Sequence, residues 1–157
     1  MALPLILAGL DIPEHCIDER TSAQENRRKF EIRRHAQETV YRIKVDDCWL
    51  SNQDGKKVDY LFWCANGKER LSLVELKGGD FGKALEQVES TLRILFQQEP
   101  QLRQFADTGG ICSYVVLSKG SGVRQRLKEI ARLKKTYKVI VRPHGQQLEI
   151  NGLDALC

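Results

Sequence analysis

Hydrophobic and polar positions along the chain follow two periods. Val40, Tyr41, Ile43 and Val45 mark a first strand over residues 39–50, V-D-Y-L-F-W-C a second over 57–65, and R-L-S-L-V-E-L-K a third over 70–77. Asn52-Gln53-Asp54-Gly55 and Asn66-Gly67 separate them as turns, so the three strands are expected to form an antiparallel meander. The period then changes. Phe81, Ala84, Leu85, Val88, Leu92, Leu95 and Phe96 recur at steps of three and four, behind an N-cap at Asp80 and ahead of Pro100. Residues 111–117, I-C-S-Y-V-V-L, read as a buried fourth strand. A helix crossing over between the third and fourth strands makes those two parallel.

Weaker patterns flank this core. Ser22 with Glu25 spells a capping box, which predicts a helix from residue 22 to about 38, anchored by Ala23, Phe30 and Ala36. A basic helix from Ser121 to about 135 is expected to turn Val123, Leu127, Ile130 and Ala131 inward. Short strands at 137–141 and 147–150 flank Pro143-His144-Gly145. The predicted order is α-β-β-β-α-β followed by α-β-β.

The chain has 157 residues, 41% hydrophobic and 29% charged, which suits one domain over 1–157 with a real core at about 22–118 and a basic extension at 119–157. Net charge is +4, unevenly spread: nine basic residues (Lys119, Arg124, Arg126, Lys128, Arg132, Lys134, Lys135, Lys138, Arg142) meet one acid, Glu129, between 119 and 142. Arg27, Arg28, Lys29, Arg33 and Arg34 form a second cluster. Such clusters fit a polyanionic partner, or simply two solvated helix faces. The five cysteines show no C-x-x-C pair, and three lie in strand-like runs, so buried, reduced thiols in a cytoplasmic protein are expected rather than a zinc or iron–sulfur site. The apolar N-terminal run lacks a basic leader, contains Pro4 and ends at Asp11; it reads as a segment that docks on the domain. No stretch reaches membrane-spanning length.

The third strand carries the chemistry. Strand alternation sends Glu75 and Lys77 to one face and Leu76 to the other, where burying two charges demands a partner or a purpose. Asp59 is an acid that nothing in V-D-Y-L-F-W requires of a core strand. In register, it would lie beside Glu75. Acidic-x-Lys alone is common, and Asp54-Gly55-Lys56 repeats it in a turn; a structural ion pair at a sheet end would account for all three residues equally. His15, His35 and His144 have no metal-ligand spacing. Trp49, Trp63 and Tyr60 fit core packing, or base stacking where one is exposed.

Asp59 in the second strand, Glu75-x-Lys77 in the third, and the α-β-β-β-α-β order together resemble the PD-(D/E)xK nuclease superfamily. Within it, V-D-Y-L … V-E-L-K-G … A-L-E-Q looks like small stand-alone and Holliday-junction-resolvase-like members. The resemblance covers roughly residues 22–118 and implies an α/β fold of restriction-endonuclease-like type: a mixed central sheet flanked by helices. It implies Mg²⁺ or Mn²⁺ held by Asp59, Glu75 and the Leu76 carbonyl, with Lys77 as base, and hydrolysis of phosphodiester bonds in DNA, RNA not being excluded. A helix glutamate often completes such sites, and Glu38 is preferred over Glu31, with Asp46 as competitor. Gln87 and Lys83 take supporting places on the crossover helix. Lys119, Arg124, Arg126 and Lys128 would track the phosphate backbone. Thr91 stands where RecB-type relatives carry Tyr, and their cysteine cluster is absent. A chain of this size is expected to dimerise or to serve a larger defence, repair or mobile-element system. The alternatives are a non-cleaving nucleic-acid-binding module of the same fold and a structural, partner-binding protein.

Overall fold

The computed structural model describes residues 3–77, 79–118, 122–145 and 147–151, without the side chains of Lys77 and Asn151. In chain order the elements are α1 (Leu5–Ala8), β1 (Ile17–Asp18), β2 (Ser22–Glu25), β3 (Arg28–Arg33), β4 (Thr39–Lys44), β5 (Tyr60–Ala65), β6 (Glu69–Lys77), α2 (Phe81–Gln98), α3 (Leu102–Asp107), β7 (Ile111–Leu117), α4 (Leu127–Tyr137), β8 (Ile140–His144) and β9 (Gln147–Asn151). A six-stranded sheet runs β1-β4-β5-β6-β7-β8, and a three-stranded sheet runs β2-β3-β9. The meander β4-β5-β6 is antiparallel; β7 joins β6 in parallel, and β8 joins β7 in parallel. The protein is therefore α/β, with a mixed sheet and flanking helices.

Alternation gives the large sheet two apolar faces. On one, Leu61, Leu71, Leu73 and Val115 meet the stripe of α2 (Phe81, Ala84, Leu85, Val88, Leu92, Leu95). On the other, Phe62, Val74, Leu76, Tyr114 and Val116 meet Phe30 and Ile32 of β3. Asp80 caps α2 by accepting from the Lys83 N–H at 3.0 Å. Leu7 and Leu10 of the N-terminal segment are buried against the helical side. No helix among the described residues is long and apolar enough to cross a membrane.

The helix expected over residues 22–38 is instead the β2–β3 hairpin. Lys29-Phe30-Glu31-Ile32-Arg33 alternates with period two, and both apolar residues bury against the large sheet. Asn26 and Arg27 make the two-residue turn in the left-handed region, at φ 50° and 65°. The first meander strand stops at Lys44 rather than 50, because Val45–Trp49 coils into one kinked turn with Asp47 at φ 62°. Of the side chains expected to face inward from the basic helix, Val123 and Ile130 pack partly buried against the core, whereas Leu127, 57% exposed, and Ala131 face out; Leu133 and Tyr137 are the fully inward residues of α4.

The reduced-thiol expectation is also corrected. Cys16 and Cys48 form a disulfide across 32 residues, and Cys112 is disulfide-bonded too. Pairing of β1 with β4 (Ile17 opposite Ile43) delivers Cys16 to the turn that carries Cys48. Among the described residues Cys64 is free; burial first, then the neighbouring Glu38 carboxylate, push its thiol up to about 12.

Candidate active site

The β5–β6 ladder begins with Tyr60 opposite Val74, so one step further Asp59 stands opposite Glu75. Asp59 follows Leu61 and Trp63, and Glu75 follows Leu71 and Leu73, onto the α2 face. Two bonds fix the pair. The Asp59 backbone N–H donates to Glu75 Oε2 at 3.2 Å, and the Leu76 N–H donates to Asp59 Oδ2 at 2.9 Å. From the second turn of α2, Gln87 Nε2 donates to Glu75 Oε2 at 3.1 Å and to the Lys57 carbonyl at 2.9 Å. One turn later Thr91 Oγ1 accepts from the Val58 N–H at 3.0 Å and donates to the Gln87 carbonyl at 2.8 Å. The crossover helix is thus stitched to the backbone that enters β5, which sets where Asp59 stands.

Burial and neighbouring acids act together on Asp59. Burial is the largest influence on Asp59 and lifts its carboxyl above the ordinary range; the Leu76 N–H opposes this, Glu25 and Asp46 add to it, and a hydrogen bond shared with Glu75 opposes it. Beside Asp59 lies a recess of about 290 Å³ walled by Glu25, Asp46, Asp47, Lys44 and Tyr60. A second recess, of about 320 Å³, is walled by Asp46, Gly55, Lys56, Lys57, Lys83 and Gln87. Asp46 lines both, so a predominantly acidic hollow adjoins a predominantly basic one.

The sequence-derived residues divide accordingly. Asp59, Glu75 and Gln87 are brought together, and Lys83 lines the basic hollow. The Leu76 carbonyl accepts from Arg28 Nε at 3.2 Å, so a guanidinium occupies the oxygen expected to face a metal. The Lys77 side chain and Lys119 lie outside the described residues. Glu38 is not at the site: it precedes β4 at the end of the strand remote from Asp59, roughly 20 Å away at a normal strand rise, and accepts from the Cys64 thiol. Glu31, in β3, pairs with Lys29 at 3.4 Å and points away from the apolar interior. Of the acids weighed for a third place, Asp46 lines the recess beside Asp59, together with Glu25 and Asp47.

Arg124, Arg126 and Lys128 are exposed where the chain enters α4, beyond the end of β7 and on the site's side of the sheet. The Arg126 guanidinium covers Gly82, where an added Cβ would meet it at 2.7 Å, and pairs with Glu129 at 2.7 Å. Lys134, Lys135 and Lys138 sit at the opposite end of α4, around a recess of about 470 Å³ with Ala106 and Asp107. Trp49 and Trp63 are buried, with indole N–H groups bonded to the Asp11 carbonyl and to Glu69, whereas Tyr60 stays half-buried beneath the Arg42 guanidinium. Glu25 and Lys57 were not singled out as site residues by sequence: one reads as part of a helix cap, the other as the first residue of the second strand.

Among the described residues, the trio of His, Cys, Asp or Glu with ligand atoms all within 4.8 Å is His15, Cys16 and Cys48, whose two sulfurs are bonded to each other. Comparisons of the chain with protein-family models, with curated proteins and with solved structures find no match.

Proposed function

We propose that this chain is a metal-dependent nuclease of the restriction-endonuclease-like, PD-(D/E)xK class that hydrolyses phosphodiester bonds in DNA. The observation that carries the reading is the cross-strand pair Asp59–Glu75, held in register by the Asp59 and Leu76 backbone amides and by Gln87. The order β4-β5-β6-α2-α3-β7, with β7 parallel to β6, supports it. A divalent cation suits the donor set, since two carboxylates and nearby Asp46 offer hard oxygens; the Asp59 carboxyl is raised first by burial and then by the Glu25 and Asp46 charges, and a bound cation would offset both.

Asp59 and Glu75 would hold Mg²⁺ or Mn²⁺, which when bound activates water and offsets charge on the scissile phosphate. Gln87 orients the Glu75 carboxylate, Lys83 faces the approaching strand, and the resemblance assigns proton transfer to Lys77. Arg124, Arg126 and Lys128 give the duplex backbone a basic approach. This reading departs from the family pattern in two places: a β-hairpin replaces the first helix, and Asp46 takes the place proposed for Glu38. A dimer or a larger assembly would supply substrate specificity. Disulfide bonding fits an oxidising compartment better than the reducing cytoplasm that the sequence suggested.

The test is nicking of supercoiled plasmid with Mg²⁺, with Mn²⁺ and with chelator. Cleavage should require the metal and vanish in Asp59→Asn and Glu75→Gln, while Gln87→Leu should lower apparent metal affinity by about 10–100-fold. Cleavage that persists with chelator or in Asp59→Asn would refute the assignment. The Arg28 contact on the Leu76 carbonyl favours a second reading, a non-cleaving nucleic-acid-binding module, which predicts salt-dependent DNA binding without turnover.

A further inference from the structure

The basic recess beside the carboxylates is walled in part by Lys57, a buried lysine with no carboxylate partner among the described residues. Lys57 is only 7% exposed, and its Nζ donates to the Gln53 carbonyl. Among the described residues no carboxylate pairs with it, whereas its neighbour Lys56 is neutralised by Glu86 at 2.6 Å. A buried lysine normally pairs with an acid, because a lone carbonyl dipole compensates the lost hydration poorly. Lys83 brings a second ammonium to the same walls, from the exposed side of α2. Gln87, 9% exposed, completes them; both donor bonds of its amide are fixed, yet its Oε1 is buried without a hydrogen-bond partner. Two polar groups in one pocket wall are therefore incompletely matched by protein.

We infer that this recess is a phosphate subsite in which Lys57, with Lys83, holds a backbone phosphate of a nucleic-acid strand beside the Asp59–Glu75 pair. The inference rests on the proposed nucleic-acid substrate but not on cleavage. Two features favour an anion here: Lys57 has no carboxylate partner among the described residues, and Lys83 adds a second cation, so that basic residues outnumber the one acid, Asp46, in these walls. Asp46, in the shared wall, separates the two signs of charge. The Lys57 carbonyl is itself held by Gln87, so an anion drawn to Lys57 acts on the residue that orients Glu75. Lys57 is on this reading a phosphate-binding residue.

The test uses isotope-labelled full-length protein in chelator, titrated with inorganic phosphate at constant ionic strength and then with a short oligothymidylate. Saturable shifts of the Gln87 side-chain amide and of the Lys57 and Val58 backbone amides are expected with both probes. Affinity should fall about tenfold in Lys57→Met and recover in Lys57→Arg, as expected for loss of one charge-assisted hydrogen bond. The wild-type titration decides even if Lys57→Met does not fold: shifts that are absent, or confined to other surfaces, overturn the subsite. A response to phosphate with none to oligothymidylate makes this a free-anion site and overturns the strand assignment. Binding by both probes without plasmid nicking retains the subsite and defeats the nuclease reading; nicking without these shifts does the reverse.

Discussion

Thr91 offers the sharpest test of how the candidate site is held. Its hydroxyl is fully buried and bridges the crossover helix to the strand entry, accepting from the Val58 N–H and donating to the Gln87 carbonyl. Thr91→Val keeps the shape and removes only the polar link. The Gln87 carbonyl keeps its place in the helical ladder, but the Val58 N–H is left buried with no acceptor, at a cost of about 1–3 kcal/mol. The extra methyl returns less than about 1 kcal/mol, so the net loss should be about 1–2 kcal/mol. For a chain of this length that corresponds to a fall in Tm of about 2–8 °C. Urea denaturation should show a lower midpoint with unchanged slope, and hydrogen exchange should show Val58 losing protection before β5 does. A Thr91→Val variant as stable as the parent, or more so, would refute the stitching of α2 to Asp59's strand.

Two further outcomes follow from the geometry. Burial keeps the Asp59 carboxyl above its ordinary value of 3.8, so the folded chain retains a proton that the unfolded chain has released. Without metal, stability should therefore fall as pH rises from about 3.8 through the Asp59 titration, then level off. Mn²⁺ should add stability only as that proton leaves; melting curves against pH, with chelator and with Mn²⁺, check this, and a metal effect that persists in Asp59→Asn contradicts it. Removing the Cys16–Cys48 link, which spans 32 residues, by the double Ser variant should cost about 2–4 kcal/mol in denaturant melts; a change below about 0.5 kcal/mol would show the link to be energetically idle.

The meander and the crossover were legible because their periods are strong and their punctuation is clear. Asn66-Gly67 forms its turn with Gly67 at φ 71°, and the α2 stripe runs unbroken from Phe81 to Phe96. The opposition of Asp59 and Glu75 followed from that register. The segment before β4 was misread because Ser22 and Glu25 mimic a helix cap, while the true signal, alternation from Lys29 to Arg33, is short. Its turn also contains no glycine: Arg27 takes a positive φ held by the hairpin pairing rather than by its own preference. With the hairpin missed, Glu25 and Arg28 could not be placed beside the carboxylates. Lys57 was hidden for a different reason, since its burial depends on the loop at Gln53 folding back over it, and no residue pattern encodes that.

The guanidinium on the Leu76 carbonyl couples the two sheets. Arg28 opens β3, and β3 is held on its other side by β9, with Ile32 opposite Ile150. Any cation recruiting that oxygen must compete with a tethered one, whose local concentration depends on how firmly the smaller sheet is seated. Changes at Ile150, which touches neither carboxylate, should therefore be felt as altered metal occupancy: loosening the clasp on one side of the molecule frees a ligand on the other.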